Sequence, residues 1–410
     1  MKLKSRLKPF TFILSLGILI RLLVMPFFAH QDLLSIYTKA AYAIFHQQYY
    51  LISFSIGWLT AHIIPLKIYS WFWPSISQVF KAESVSLIVN QQAIFTNPQI
   101  FRLIFLLKLP FLIIEIASLY WLLKFFKPIK SKLIALTAWA FNPYLIYTLY
   151  LHGRMEILAI FFLIGFFWFI KQQRISLASL FLGLAIALRL YPLLFVPFLL
   201  LLFPRKFFSW FKNLSLALLP LLLSFLASLP FKKSALVPLP LQKPPLFKEF
   251  ILPAQISVGH GRFIYLLPAT LIAIYLYAWY KQAVNRHNLW RWCYLSILVF
   301  LSFSFFHPQY FSWLAIFITF QLVSKFKSNP KLIPLLLIQF LGWLLVLLHW
   351  GNSTAFGLLT PINYYFFSSI GSPIVLFKKY LFLSMLDPVN LGRSMLLAVN
   401  FFLAWLSFSL

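Results

Sequence analysis

Residues 9–37 read PFTFILSLGILIRLLVMPFFAHQDLLSIY. Positions 9–29 carry a single charge, Arg21, and as a helix they are long enough to cross a hydrocarbon layer of about 30 Å. Lys2, Lys4, Arg6 and Lys8 stand before this run. A basic flank followed by an apolar run also fits a secretory signal peptide. No small-residue cleavage site follows it, and many more apolar runs do, so the stretch reads as a retained first span with a cytoplasmic N-terminus. His30-Gln31-Asp32 then falls where the chain first leaves the bilayer. The chain holds only six acidic residues against 35 Lys and Arg. An Asp at that place is an unusual choice, and it is the candidate catalytic base.

Composition supports the same class. Hydrophobic residues make up 62% of the 410, charged residues 10%, and mean hydropathy is +0.88. A soluble domain keeps a polar exterior that this chain cannot supply. The expected fold is all-α: a polytopic transmembrane helical bundle of about 11–13 spans, forming one domain over residues 1–410. Expected spans include 101–123, 133–151, 332–350, 361–377 and 394–410. Residues 30–100, with their Trp-rich stretch 51–73, are expected to form a large first outer loop. Residues 231–262, with Pro238, Pro240, Pro244, Pro245 and Pro253, are expected to form a second outer loop without regular structure. Two runs, 175–188 and 190–203, are too short to cross alone. They meet at Arg189-Leu190-Tyr191-Pro192, where proline bars continued helix. This pair reads as two half-helices meeting at a polar point beside a cavity.

The net charge of +29 does not imply nucleic acid. The basic residues lie in small clusters between apolar runs and form no continuous face. Of the 35, 22 fall in segments expected on the inner side. That bias sets orientation and contacts anionic membrane lipids. Cys293 is the only cysteine, which excludes an intrachain disulfide or a Cys-based metal cluster.

The outer ends of the expected spans gather a mixed set: His30 and Asp32; His152, Arg154 and Glu156; Arg189 and Tyr191; His260 and Arg262; His307, Gln309 and Tyr310. Arginine and histidine suit an anionic group such as a phosphate. A lone carboxylate suits proton abstraction from a hydroxyl. The four histidines with Asp32 and Glu156 could supply metal ligands, but no two of them have ligand spacing on one helix. No cofactor is expected, and a divalent metal is not indicated.

Five motifs in chain order resemble the GT-C superfamily of integral-membrane glycosyltransferases. Asp32, Tyr37 and Ala40, followed by Gln48-Tyr49-Tyr50, are similar to the acidic first-loop motif. Lys108-Leu109-Pro110 with Glu115 is similar to the second-span motif. Asn142-Pro143 with His152-Gly153-Arg154-Met155-Glu156 resembles the following region. Arg189-Leu190-Tyr191-Pro192 resembles a Lys-x-Tyr-Pro turn. His307-Pro308-Gln309-Tyr310-Phe311-Ser312-Trp313 resembles the Gln-Tyr-x-x-Trp motif shared with the GPI mannosyltransferase I type.

The resemblance implies an enzyme of the cell (plasma) membrane with its site on the extracytoplasmic side. It would move a hexose, mannose favoured, from a polyprenyl-phosphate sugar donor to a lipid or glycan acceptor, with inversion. Asp32 would be the base. Arg189, Arg154, Arg262 and His307 would hold the donor phosphate. Glu156, Tyr191, Gln309, Tyr310 and Lys108 would contact substrate. The family's second first-loop acid has no close counterpart, since Glu83 lies 51 residues on.

Plainer readings stand beside these. Asp32 could only cap the helix after it. Lys108 and Glu115 are seven apart and share one helix face; Glu115 has Arg21 as a candidate partner, because a charge inside a span must be paired or functional. Arg189 could snorkel to the surface. Glu156 could pair with Arg154. A lipid-linked oligosaccharide flippase would need repeated halves with polar groups at mid-membrane, and no repeat is visible. An O-antigen-type polymerase or ligase would more often carry its large loop late in the chain.

Overall fold

The computed structural model describes residues 2–45, 56–80, 91–203, 207–229, 252–326, 328–380 and 387–409. Helix takes 78% of these and strand 3%. Among the described residues, three helices are long and apolar enough to cross a membrane: Phe207–Ala227, Leu332–Trp350 and Pro388–Phe408. The chain is therefore a helical protein with candidate membrane spans. Gln48-Tyr49-Tyr50, Glu83 and the prolines from 238 to 245 lie outside the described residues.

The chain folds into two compact units. The first holds Met1–Phe161, Ser224–Lys233 and Val346–Val389; the second holds Phe162–Leu223, Ser234–Leu345 and Asn390–Leu410.

In the first unit, α1 (Lys2–Val24) is followed by α2 (Gln31–Phe45), α3 (Ile56–Phe72), α4 (Ile100–Leu123) and α5 (Ile129–Ala140). α1 packs closely on the end of α5 because Gly17 has no side chain: a Cβ there would lie 2.9 Å from the Ala140 Cβ. One turn on, Arg21 is buried and its guanidinium is fully used. Nε and Nη2 lie 2.7 and 2.6 Å from the Glu115 carboxylate, and Nη1 lies 2.9 Å from the Gly17 carbonyl and 2.7 Å from that of Ala140. The Tyr150 hydroxyl also donates to Glu115. A charge in an apolar interior persists only with such satisfaction. The expected Arg21–Glu115 pair is thus present.

Lys108, two turns before Glu115 on α4, is wholly buried. Its ammonium donates to the Met25 carbonyl at 3.1 Å and to the carbonyls of Phe28 and Tyr150. Three donors meet three acceptors. Two of these carbonyls, of Met25 and Phe28, lie just past the end of α1, which breaks before Pro26 and leaves them without helical partners. The Tyr37 hydroxyl donates to the Leu107 carbonyl at 2.7 Å and ties α2 to α4. Hydrogen bonds that join the late segment to this unit include Tyr147 Oη to the Thr354 carbonyl at 3.0 Å, the Ala29 amide to the Leu358 carbonyl at 2.9 Å and Gln92 Nε2 to Tyr365 Oη at 3.0 Å.

α5 stops at Ala140, so the expected 133–151 span is not one helix. The break follows from Asn142-Pro143: Asn142 caps a short turn by accepting from the Leu145 amide at 3.1 Å. A π-helix, Ile146–His152, follows and ends on Gly153 at φ +83°. Such wide turns often mark functional positions. The expected span 361–377 is also overturned. Residues 352–380 form short helical turns, punctuated by Pro361, Gly371 and Pro373.

α6 (Glu156–Lys171) leads into the second unit, where α7 (Ile175–Leu188) ends at Arg189 in extended conformation. A 3-10 turn, Tyr191–Phe195, leads into α8 (Val196–Leu201). The break expected at Arg189 and Pro192 is present. In α9 (Phe207–Ser228) the backbone passes so close to Gly183 that a Cβ there would lie 2.7 Å from the Ala217 carbonyl oxygen.

The expectation of no regular structure across 231–262 fails at its described end. Gln255–Gly259 (β1) and Arg262–Tyr265 (β2) form an antiparallel hairpin. Gly259-His260-Gly261 supplies the turn, all three at positive φ. Then come α10 (Leu266–Tyr280), α11 (Leu289–Phe303), a 3-10 turn Pro308–Leu314, α12 (Ala315–Lys325), α13 (Leu332–Leu347) and α14 (Pro388–Phe408). Polar side chains join these apolar helices: Gln339 to Asn400 at 2.8 Å, and Gln321 to the Leu403 carbonyl at 3.0 Å.

Candidate functional site

The site in the first unit forms where α2 begins. Asp32 lies in the first turn of α2, where the helix dipole favours an anion. Its side chain is 30% exposed, whereas the His30, His152 and Glu156 side chains are buried. Arg154 donates to Asp32 Oδ2. The Asp32 amide donates to His30 Nδ1 at 3.1 Å, so that nitrogen acts as an acceptor, and Oδ2 lies 3.4 Å from it. The His30 and His152 rings stack with centroids 3.9 Å apart and planes 17° apart. The His30 amide also bonds the His152 carbonyl at 3.3 Å.

Two local features deliver His152 and Arg154 to this place. The π-helix ends on His152, and Gly153 turns the chain through a left-handed conformation. A Cβ on Gly153 would lie 2.9 to 3.2 Å from three Leu33 side-chain atoms. Only glycine permits both that φ and that contact with α2. The Tyr150 backbone carbonyl receives Lys108, and its hydroxyl reaches Glu115. The Arg21–Glu115–Tyr150–Lys108 network therefore holds the segment that carries His152. The ammonium of Lys108, a residue expected to contact substrate, donates to three backbone carbonyls inside the unit.

Lys39, two turns after Asp32, was not singled out from sequence. Burial lowers its pKa from the ordinary lysine value; the field of Asp32 opposes this and that of Arg154 adds to it. The seven-residue spacing from Asp32 was the available signal.

The second unit carries its own cluster. The Tyr191 ring stacks on Trp313 at 3.8 Å and 13°, and Tyr310 stacks on Trp313 at 4.3 Å and 16°. Gln309 is buried, and His307 opens the turn that places Tyr310 and Trp313. Arg189 sits on the extended link before Tyr191, and Arg262 on the exposed hairpin. Asp32, Arg154 and Glu156 thus belong to one unit, and Arg189, Tyr191, Arg262, His307, Gln309 and Tyr310 to the other.

No family model, curated protein or solved structure matches this chain.

Proposed function

We propose that this protein is an inverting membrane glycosyltransferase. It moves a hexose, mannose favoured, from a polyprenyl-phosphate donor to a lipid or glycan acceptor on the extracytoplasmic side of the plasma membrane. The observation that carries the reading is the open Asp32 carboxylate, oriented by Arg154 beside the buried His30 and His152. A base must reach its proton at hydrogen-bond distance, and Asp32 has both a fixed orientation and a route to solvent. The acceptor hydroxyl gives its proton to Asp32, and its oxygen bonds to the sugar carbon. The bond from that carbon to the phosphate oxygen breaks, and the electron pair leaves with the polyprenyl phosphate. Arg154, beside Asp32, is placed to meet an anionic oxygen.

Proteoliposomes supplied with a short-chain polyprenyl-phosphate mannose, glucose and arabinose analogues, and mixed lipid acceptors test this. Wild type should transfer sugar, and a folded Asp32→Asn variant should lose about 100-fold or more in rate. Undiminished transfer by that variant would remove Asp32 as the base. Absence of transfer from every donor would sink the reading. Single replacements of Arg189, Arg262 and His307 in the same assay test their proposed phosphate roles through the Michaelis constant for the donor.

A further inference from the structure

His30, Asp32 and His152 each offer one ligand atom, and these atoms lie within 4.8 Å of one another. The set is tertiary: His152 is delivered by the π-helix, and the other two open α2. Backbone as well as ring contact keeps it together, through the amide of His30 on the carbonyl of His152 and the stacked imidazoles. Gly153 brings the two segments within van der Waals distance at Leu33. Both histidines are buried, so their position is set by packing and not by solvent.

The geometry points to a binding site for a divalent first-row transition ion, Zn²⁺ foremost, held by His30, Asp32 and His152. Two imidazoles and one carboxylate favour such an ion over Mg²⁺ or Ca²⁺, which take oxygen ligands. Bonds of about 2.0–2.2 Å in a tetrahedral site put ligand atoms roughly 3.4 Å apart. From 4.8 Å, side-chain rotations of about 1 Å close the set on an ion. Three protein ligands leave a further position for water or an anionic oxygen. Two existing hydrogen bonds compete with the ion. Arg154 donates to Asp32 Oδ2, and the Asp32 amide donates to His30 Nδ1. Arg154 is therefore an antagonist of the ion as well as a partner of the carboxylate. The assignment rests on these side chains and not on the transfer reaction, although the two share Asp32.

Cobalt provides the test. Full-length protein without a histidine tag, in detergent and stripped with chelator, is titrated with Co²⁺ and followed by its visible absorption. Wild type should bind one equivalent, and Zn²⁺ should displace it. His30→Ala and His152→Ala should weaken binding by about 100-fold or more, beyond the loss typical of a supporting partner around the ligands. Arg154→Gln should tighten binding by about tenfold, because it removes a neighbouring cation. That gain cannot come from misfolding. The assignment fails if Co²⁺ and Zn²⁺ do not saturate at one equivalent. It also fails if both histidine variants, with unchanged circular dichroism, bind as wild type does. Sugar transfer in excess chelator is measured separately, so the metal site can fail while transfer by Asp32 stands.

Discussion

Replacing Glu115 with Gln removes one charge from a buried group of four polar side chains. Arg21 then keeps a guanidinium whose Nε and Nη2 lost their anionic acceptors at 2.7 and 2.6 Å, in a place where both side chains are buried. The carbonyl bonds to Gly17 and Ala140, and a longer one from Nη2 to Trp139 at 3.4 Å, remain. Breaking one side of a buried pair costs about 3–5 kcal/mol, most of it the cost of the orphaned charge. The Tyr150 hydroxyl also loses a charged acceptor, worth about 1.5–3 kcal/mol, part of which the Gln oxygen recovers. The expected loss for Glu115→Gln is therefore about 4 kcal/mol. A double variant, Arg21→Met with Glu115→Leu, removes both charges and leaves apolar bulk. Its expected loss is about 1 kcal/mol, or a small gain. The assay is reversible unfolding in mixed micelles across a denaturing-detergent series, followed by tryptophan fluorescence, for wild type, Glu115→Gln and the double variant. A single-variant loss below about 1 kcal/mol would refute the account, because it would mean the site is wet. So would a double variant as unstable as Glu115→Gln.

Two further outcomes follow from the same unit. Lys108→Met should cost about 2–4 kcal/mol in that assay, because three buried carbonyls lose their donor while a buried charge is also removed. A stable Lys108→Met protein that loses only donor affinity would overturn the structural role. Gly153→Ala should cost about 1–3 kcal/mol, from φ at +83° and contact with Leu33. Adding Leu33→Ala should relieve the contacts with Leu33 Cγ and Cδ2 but leave the one with its Cβ at 3.0 Å and the backbone cost of about 1 kcal/mol. Equal stability of Gly153→Ala and wild type would refute the left-handed turn.

Some residues could be read because their effect is local. Pro192 after Arg189 ends a helix wherever it stands, and the structure breaks there. Lys108 and Glu115 share a face because seven residues are two helical turns. Arg21 needed a buried acid, and the chain has few. Other readings failed for equally local reasons read too lightly. Asn142-Pro143 ends α5, and Pro361 with Gly371-Ser372-Pro373 divides residues 361–377. Mean hydropathy over a window does not register such breaks. The His30–His152 stack could not be read at all. A search for ligand spacing on one helix looks only along the chain, and this pair forms between two segments.

By itself, the sequence determined that the chain is apolar, helical and broken at particular prolines. Those properties come from partition into apolar surroundings and from backbone hydrogen bonds between near neighbours. It also placed Asp32 at a helix start. Only the tertiary structure decided that Arg154 meets Asp32, that His152 stacks on His30, and that Lys108 is taken by carbonyls. Those outcomes depend on which helix faces dock. Docking is set by the absent side chains of Gly17 and Gly153 and by one π-helical turn before His152, none of which has a signature in composition or periodicity.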